Sequence, residues 1–180
     1  MRISVFMSYP TPCFSRQQAF VGRITQFLKS QGFEPRTLGV TDYDMDAPLK
    51  AIRRLMHESN GLITIAFRRT FIEKGTLRYQ SDIDLKGTPI DGKWMTTPWP
   101  HIEAAMAYQL GLPILIYREK GVIDDGILEK GVVGSYMPEF DLDNLNEDYF
   151  MSQEWSGIIG KWQGYVRAVV EKKGNPPQLY

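Results

Sequence analysis

The stretch TTPWPHIEAAMAYQLGLPILIY, residues 96–117, decides the fold. It reads as a turn, a helix and then a buried strand. Thr97 is a candidate N-cap, and Pro98 suits the first helical position, where no backbone N–H is needed. Gly111 supplies a stop, and Pro113-Ile114-Leu115-Ile116 opens an apolar run of the kind found in parallel sheets. Ile102, Ala105, Met106 and Leu110 recur at helical spacing and are expected to face that sheet. Glu103 falls beside their stripe, early in the helix. A carboxylate there is either a surface group compensating the helix dipole or the working group of a cleft.

The rest of the chain repeats the same alternation. Residues 3–7 are apolar and strand-like, and the turn-rich loop SYPTPCF follows. A helix is expected over 15–30, with Phe20, Ile24, Phe27 and Leu28 as its inward stripe. Gln31-Gly32 ends it, and 33–38 is a weaker second strand. After the polar loop GVTDYDMDAP, a helix over 48–58 carries Leu49, Ile52, Leu55 and Met56 at helical spacing. Residues 62–67, LITIAF, form the clearest buried strand. Four strands and three helices by residue 117 argue for a mainly parallel α/β sheet covered on both faces.

Between this third strand and the helix at Pro98 lies a long excursion, RRTFIEKGTLRYQSDIDLKGTPIDGKWM, with little periodicity. A loop of that length in a compact domain is usually functional. It follows the carboxyl end of a strand, where ligands bind in open α/β sheets. The glycine-punctuated segment 121–134 is expected to lie on the same side and to enclose a last short strand near Val132. From about residue 144, one long helix or two short ones are expected. Their inward residues would be Trp155, Ile158, Ile159, Trp162, Tyr165, Val166 and Val169, with 174–180 frayed. No repeat or domain boundary is visible, so residues 1–180 read as one domain.

Composition narrows the function. Lys+Arg and Asp+Glu number 21 each, so the formal net charge is zero and no global field recruits nucleic acid. Apolar runs fall short of the roughly 20 residues needed to span a bilayer, so no membrane segment is expected. The N-terminus, broken early by prolines, reads as a first strand rather than a signal peptide, and the chain reads as cytoplasmic. One cysteine and two histidines demand no metal site and permit no internal disulfide. Asp42, Asp44 and Asp46 alternate as in a calcium loop, but the glycine and closing glutamate are missing.

In a doubly wound sheet the loops after strands one, three and four meet over one crevice. Here they carry residues 8–14, then Arg68-Arg69, then Arg118-Glu119, with His101 and Glu103 on the adjoining helix. Aromatics able to stack a base, small hydroxyls, arginines and one acid suit a nucleoside or nucleotide. Trp94 and Trp99 flank the glutamate helix. Each of these side chains also has a plain structural reading, in packing or in solvated charge. Cys13 has no histidine partner legible in the sequence.

Two blocks carry a family resemblance. VFMSYPTPCFSRQQ, residues 5–18, resembles the first strand and loop of nucleoside 2-deoxyribosyltransferase-like proteins. HIEAAMAYQLGLPIL, residues 101–115, resembles their E-x-G-x-A…G-K-P-hydrophobic block. The same helix-borne Glu is similar to that of TIR-type NAD-cleaving domains, and the resemblance covers about residues 3–117. It implies an α/β, flavodoxin-like three-layer sandwich. Glu103 would be the nucleophile or ribose-holding acid, Tyr9 or Phe14 the base-stacking aromatic and Gln17 the polar base contact. Ser8, Arg68, Trp99 and His101 complete the expected substrate-binding set. Ala105 stands where the family has glycine, residues 96–100 hold no acid, and Asn60-Gly61 stands where an Asp opens the third strand. These departures favour cleavage of a nucleotide or NAD over deoxyribosyl transfer. No cofactor is required, a nucleotide or NAD being the substrate itself, and a homo-oligomer is compatible with the sequence. The alternative is a non-catalytic module that binds a nucleotide signal or acts as a TIR-like interaction domain in bacterial signalling or defence.

Overall fold

Every central strand alternates its side chains between two apolar layers, and this alternation builds the molecule. Val5 and Met7 of β1 (Ile3–Ser8) point to one layer and Phe6 to the other. The structure, a computed structural model, describes residues 2–134, 136–144 and 147–172. The expected frayed tail, 174–180, lies outside them. After β1 come α1 (Ser15–Ser30), β2 (Phe33–Arg36), α2 (Pro48–His57) and β3 (Leu62–Ala66). Two short antiparallel pairs follow. β4 (Thr70–Ile72) pairs with β7 (Lys93–Met95), and β5 (Thr76–Leu77) pairs with β6 (Thr88–Pro89). The chain continues through α3 (Trp99–Gln109), β8 (Ile114–Glu119), β9 (Glu139–Phe140) and α4 (Gln153–Glu171).

The five long-range strands pair in the order β2-β1-β3-β8-β9, all parallel. That is the flavodoxin-like order, and the chain is an α/β three-layer sandwich of this class. One layer packs α1 and α4 on Val5, Met7, Ile63, Ile65, Leu115 and Tyr117. The opposite layer packs α2 and α3 on Phe6, Leu62, Ala66 and Ile116. Helix α4 is capped by Ser152, which accepts from the Trp155 N–H at 3.1 Å. Its Trp162 indole N–H donates to the Pro113 carbonyl at 3.1 Å, tying the helix to the start of β8.

Several sequence expectations change. The fifth strand is Glu139–Phe140 and not near Val132, which lies exposed in the preceding turns. The chain joins the sheet edge there, where the Arg118 N–H meets the Pro138 carbonyl at 3.0 Å and the Lys120 N–H meets the Phe140 carbonyl at 2.8 Å. The long excursion is a nested antiparallel ribbon, its residues too exposed to give a clear hydrophobic period. Helix α3 is capped at Pro98 with no side-chain cap, so Thr97 is not its cap. Its buried residues are Pro100, Glu103, Ala104 and Ala107, and Ala105 is exposed. Alanines let the helix approach β3 closely, which leaves the bulkier Ile102, Met106 and Leu110 half-buried at its flanks. Ala51 replaces Leu49 on the buried face of α2, and Tyr165 of α4 is largely exposed.

Candidate active site

The chain order turns back between β1 and β3: it moves from β1 outward to β2, then crosses to β3. A crevice opens at such a switch point, outside the carboxyl ends of the strands. In this structure that crevice is a cleft of about 340 Å³. Ser8, Tyr9, Pro10 and Thr11 line it from the end of β1, and Thr37 and Leu38 from the end of β2. Pro48 and Ile52 of α2, Arg69 after β3, and Thr97, Trp99 and Glu103 around α3 complete the wall.

Ser8 enters the cleft through the period of its strand. Phe6 packs under α2 and α3, and Ser8, two residues on, faces the same way where the apolar layer ends. Its hydroxyl donates to Glu103 Oε2. Glu103 lies one turn inside α3 and is 8% exposed. No acid occupies the first turn of that helix, so Glu103 is no surface group compensating the dipole. Burial pushes its carboxyl up to about 7, the dominant influence, while the hydrogen bond from Ser8 pulls it down. The group therefore exchanges its proton close to neutrality.

Tyr9 and Trp99 also line the cleft. Burial raises the Tyr9 phenol, against a smaller lowering by its hydrogen bond with Thr37. The Thr37 hydroxyl itself donates to the Met7 carbonyl at 2.8 Å. Trp99 is 40% exposed and forms a rim. The Thr97 hydroxyl is buried with no hydrogen-bond partner among the described residues, a vacant polar group beside the cleft. Among the described residues no three His, Cys, Asp or Glu side chains converge as metal ligands would.

Phe14, Gln17, Arg68 and His101 do not line the cleft. Phe14 is the exposed N-cap of α1. Gln17 is buried beneath it and fully engaged. Its carbonyl accepts from the Cys13 N–H at 2.9 Å and the Phe14 N–H at 3.3 Å. Its amide donates to Glu119 at 2.9 Å and to the Arg68 carbonyl at 3.2 Å. Arg68 donates to the Lys120 carbonyl at 2.6 Å and pairs with Asp143 at 2.8 Å. Its guanidinium lies over the Trp94 ring, so Trp94 belongs to this brace as well. His101 turns toward the Asp125-Gly126 loop, where burial lowers its pKa and Asp125 opposes that shift. Arg118, in β8 itself, donates to Glu139 at 3.0 Å.

Sequence reasoning missed Thr37, Leu38, Pro48 and Ile52. The available signal was positional, since the loop after β2 borders the same switch point. It also could not separate Arg69 from its neighbour Arg68. Alternation along the backbone sends one into the brace and the other to the cleft. The Arg69 N–H bonds the Met95 carbonyl at 2.9 Å, so the base of the ribbon fixes that position.

No family model matches the chain, and no curated protein matches it. Among solved structures it is similar to the CMP N-glycosidase BcmB of Clostridium botulinum. That likeness has 13% identity, a TM-score of 0.45, and coverage of 93% of this chain and 98% of the other. It is also similar to the TIR domains of the activated Roq1 resistosome that recognises the pathogen effector XopQ. Here identity is 11%, the TM-score 0.42 and the coverage 95% and 99%. Likenesses this distant carry no argument about activity, and the site rests on its own geometry.

Proposed function

We propose that this chain cleaves an N-glycosidic bond of a nucleoside or nucleotide, NAD included, by hydrolysis or by transfer to a second acceptor. The observation that carries the reading is Glu103, a buried carboxyl facing a nucleoside-sized cleft at the switch point of the sheet. The two sequence blocks that resemble deoxyribosyltransferase-like proteins support it, since one of them contains this Glu.

The chemistry follows from charge. When the C1′–N bond breaks, its electron pair leaves with the base and the sugar carbon becomes oxocarbenium-like. An ionised carboxylate beside that carbon stabilises the positive charge or traps it as an ester. Water, or a second base, then attacks the same carbon and regenerates the carboxylate. Ser8 occupies Oε2 and fixes the rotamer, leaving the other carboxylate oxygen for the sugar. Tyr9 and Trp99 hold the base between them. Gln17 and Arg68 act from outside the cleft, as parts of the brace that joins the ends of β3 and β8.

The test is incubation of the wild type and of Glu103→Gln with NAD and a panel of nucleosides and their monophosphates, with released base separated by chromatography. Base release by the wild type, reduced by about two to four orders of magnitude in the variant, supports the reading. Ligand-dependent thermal stabilisation of the wild type with no base released would replace it with a nucleotide-binding module.

A further inference from the structure

Arg69 is the one cation among the described residues that line the cleft. Arg68, beside it in sequence, and Arg36, beside the cleft residue Thr37, are both neutralised. Arg68 pairs with Asp143 at 2.8 Å and lies near Glu119 at 3.9 Å. Arg36, behind Thr37, pairs with Asp42 at 2.5 Å and Glu58 at 2.7 Å. Among the described residues Arg69 meets no carboxylate. Its Nη1 donates to the Thr11 carbonyl at 3.1 Å and to Cys13 Sγ at 2.5 Å. A carbonyl leaves the positive charge uncompensated, and a thiol sulfur is a weak acceptor. The guanidinium is exposed, so turning it toward a ligand costs little desolvation. A phosphate oxygen pair is a far better partner for its planar fork than a sulfur.

The rest of the cleft narrows what that anion is attached to. Glu103 and Arg69 both line the cleft, one an acid and the other its single cation among the described residues, so an anionic group of the ligand is matched at Arg69 and not at Glu103. The cleft volume, about 340 Å³, lies at the small end of ligand sites and fits a mononucleotide better than a whole dinucleotide. We infer that Arg69 is a specificity-determining residue that selects a substrate bearing a phosphate on its ribose 5′-carbon, over the free nucleoside. This rests on the glycosidase reading for the placement of the sugar at Glu103. The backbone bond from Arg69 to Met95 makes the base of the ribbon its positioning device.

Two measurements separate this inference from the reading beneath it. The first is calorimetric binding of the four ribonucleosides, their 5′-monophosphates and inorganic phosphate to Glu103→Gln, repeated with Arg69→Gln added. The second is kcat/KM for each nucleoside and monophosphate pair in the wild type, Arg69→Gln and Arg69→Lys, with circular dichroism confirming the folded state. A monophosphate is expected to bind about tenfold to a hundredfold tighter than its nucleoside, as one charge-assisted contact allows. Arg69→Gln should shrink that ratio to within about threefold through KM, and Arg69→Lys should restore part of it. Equal use of nucleoside and monophosphate by the wild type, or a preference that survives Arg69→Gln, overturns the inference and leaves the glycosidase reading standing. Arg69-dependent binding with no base released overturns the glycosidase reading and keeps the phosphate site. Binding of neither ligand overturns both.

Discussion

Glu103 is held by two surroundings that act in opposite directions, and its behaviour with pH follows from their balance. Burial favours the neutral acid and outweighs the Ser8 hydrogen bond, so the folded pKa is about 7 against an ordinary 4.5. Between those values the folded chain binds more protons than the unfolded one. The resulting stabilisation is fully present below about pH 4.5 and is lost as pH rises through 7. The rise corresponds to roughly 3 kcal/mol. Urea unfolding across this window should show wild-type stability falling with pH, and Glu103→Gln should remove most of the slope. Glu119, also raised chiefly by burial, contributes a residual slope of the same sign. Activity should run the other way, because the ionised carboxylate is the working form. The log of kcat/KM is expected to climb with pH and level off above about 7. Ser8→Ala deletes the interaction that lowers the pKa, so the same limb should move to higher pH. A limb that stays in place in Ser8→Ala would mean that another group controls it. At this scale the sequence singled out Glu103, Ser8, Tyr9 and Trp99, all of which line the cleft. It also offered Gln17, whose side-chain carbonyl is instead taken up at the start of α1, where it accepts from the Phe14 N–H.

The elements carry the site only while they pack closely. Gly61, just before β3, has no left-handed backbone requirement, yet a Cβ there would meet Val166 Cγ2 at 2.6 Å and the Pro113 carbonyl oxygen at 3.3 Å. Helix α4 is therefore seated against bare backbone. Gly61→Ala should cost about 1–3 kcal/mol in chemical denaturation, through displacement of α4. Stability unchanged within about 0.5 kcal/mol would show that the helix yields freely. On the opposite face, Ala104 and Ala107 play the matching part for α3, both fully buried. The helices were legible as elements because their stops and apolar periods are local. The buried face of α3 was not. A helix with apolar residues nearly all round has no decisive stripe, and small residues win the inner positions because they permit close approach.

At the scale of the molecule, the ribbon of residues 70–95 is an insertion between β3 and α3. Its outer pair, β5 and β6, is exposed. The Ile90 N–H meets the Gly75 carbonyl at 2.9 Å, so the two ends of that outer pair already touch. Replacing residues 76–89 with an Asn-Gly turn should leave the thermal midpoint within a few degrees of wild type. Loss of cooperative unfolding would show instead that the tip supports the sheet. The inner pair is different: it holds Arg69 and Thr97 beside the cleft. By itself, the sequence determined the alternation of strands and helices, the parallel sheet, and the presence of a carboxylate on the helix before β8. These follow from local propensity and hydrophobic period. Only the tertiary structure decided that Arg69 and not Arg68 reaches the cleft, that the loop after β2 joins its wall, and that Glu103 is buried. Such outcomes depend on which surfaces meet, and residues distant in the chain settle that through packing and desolvation.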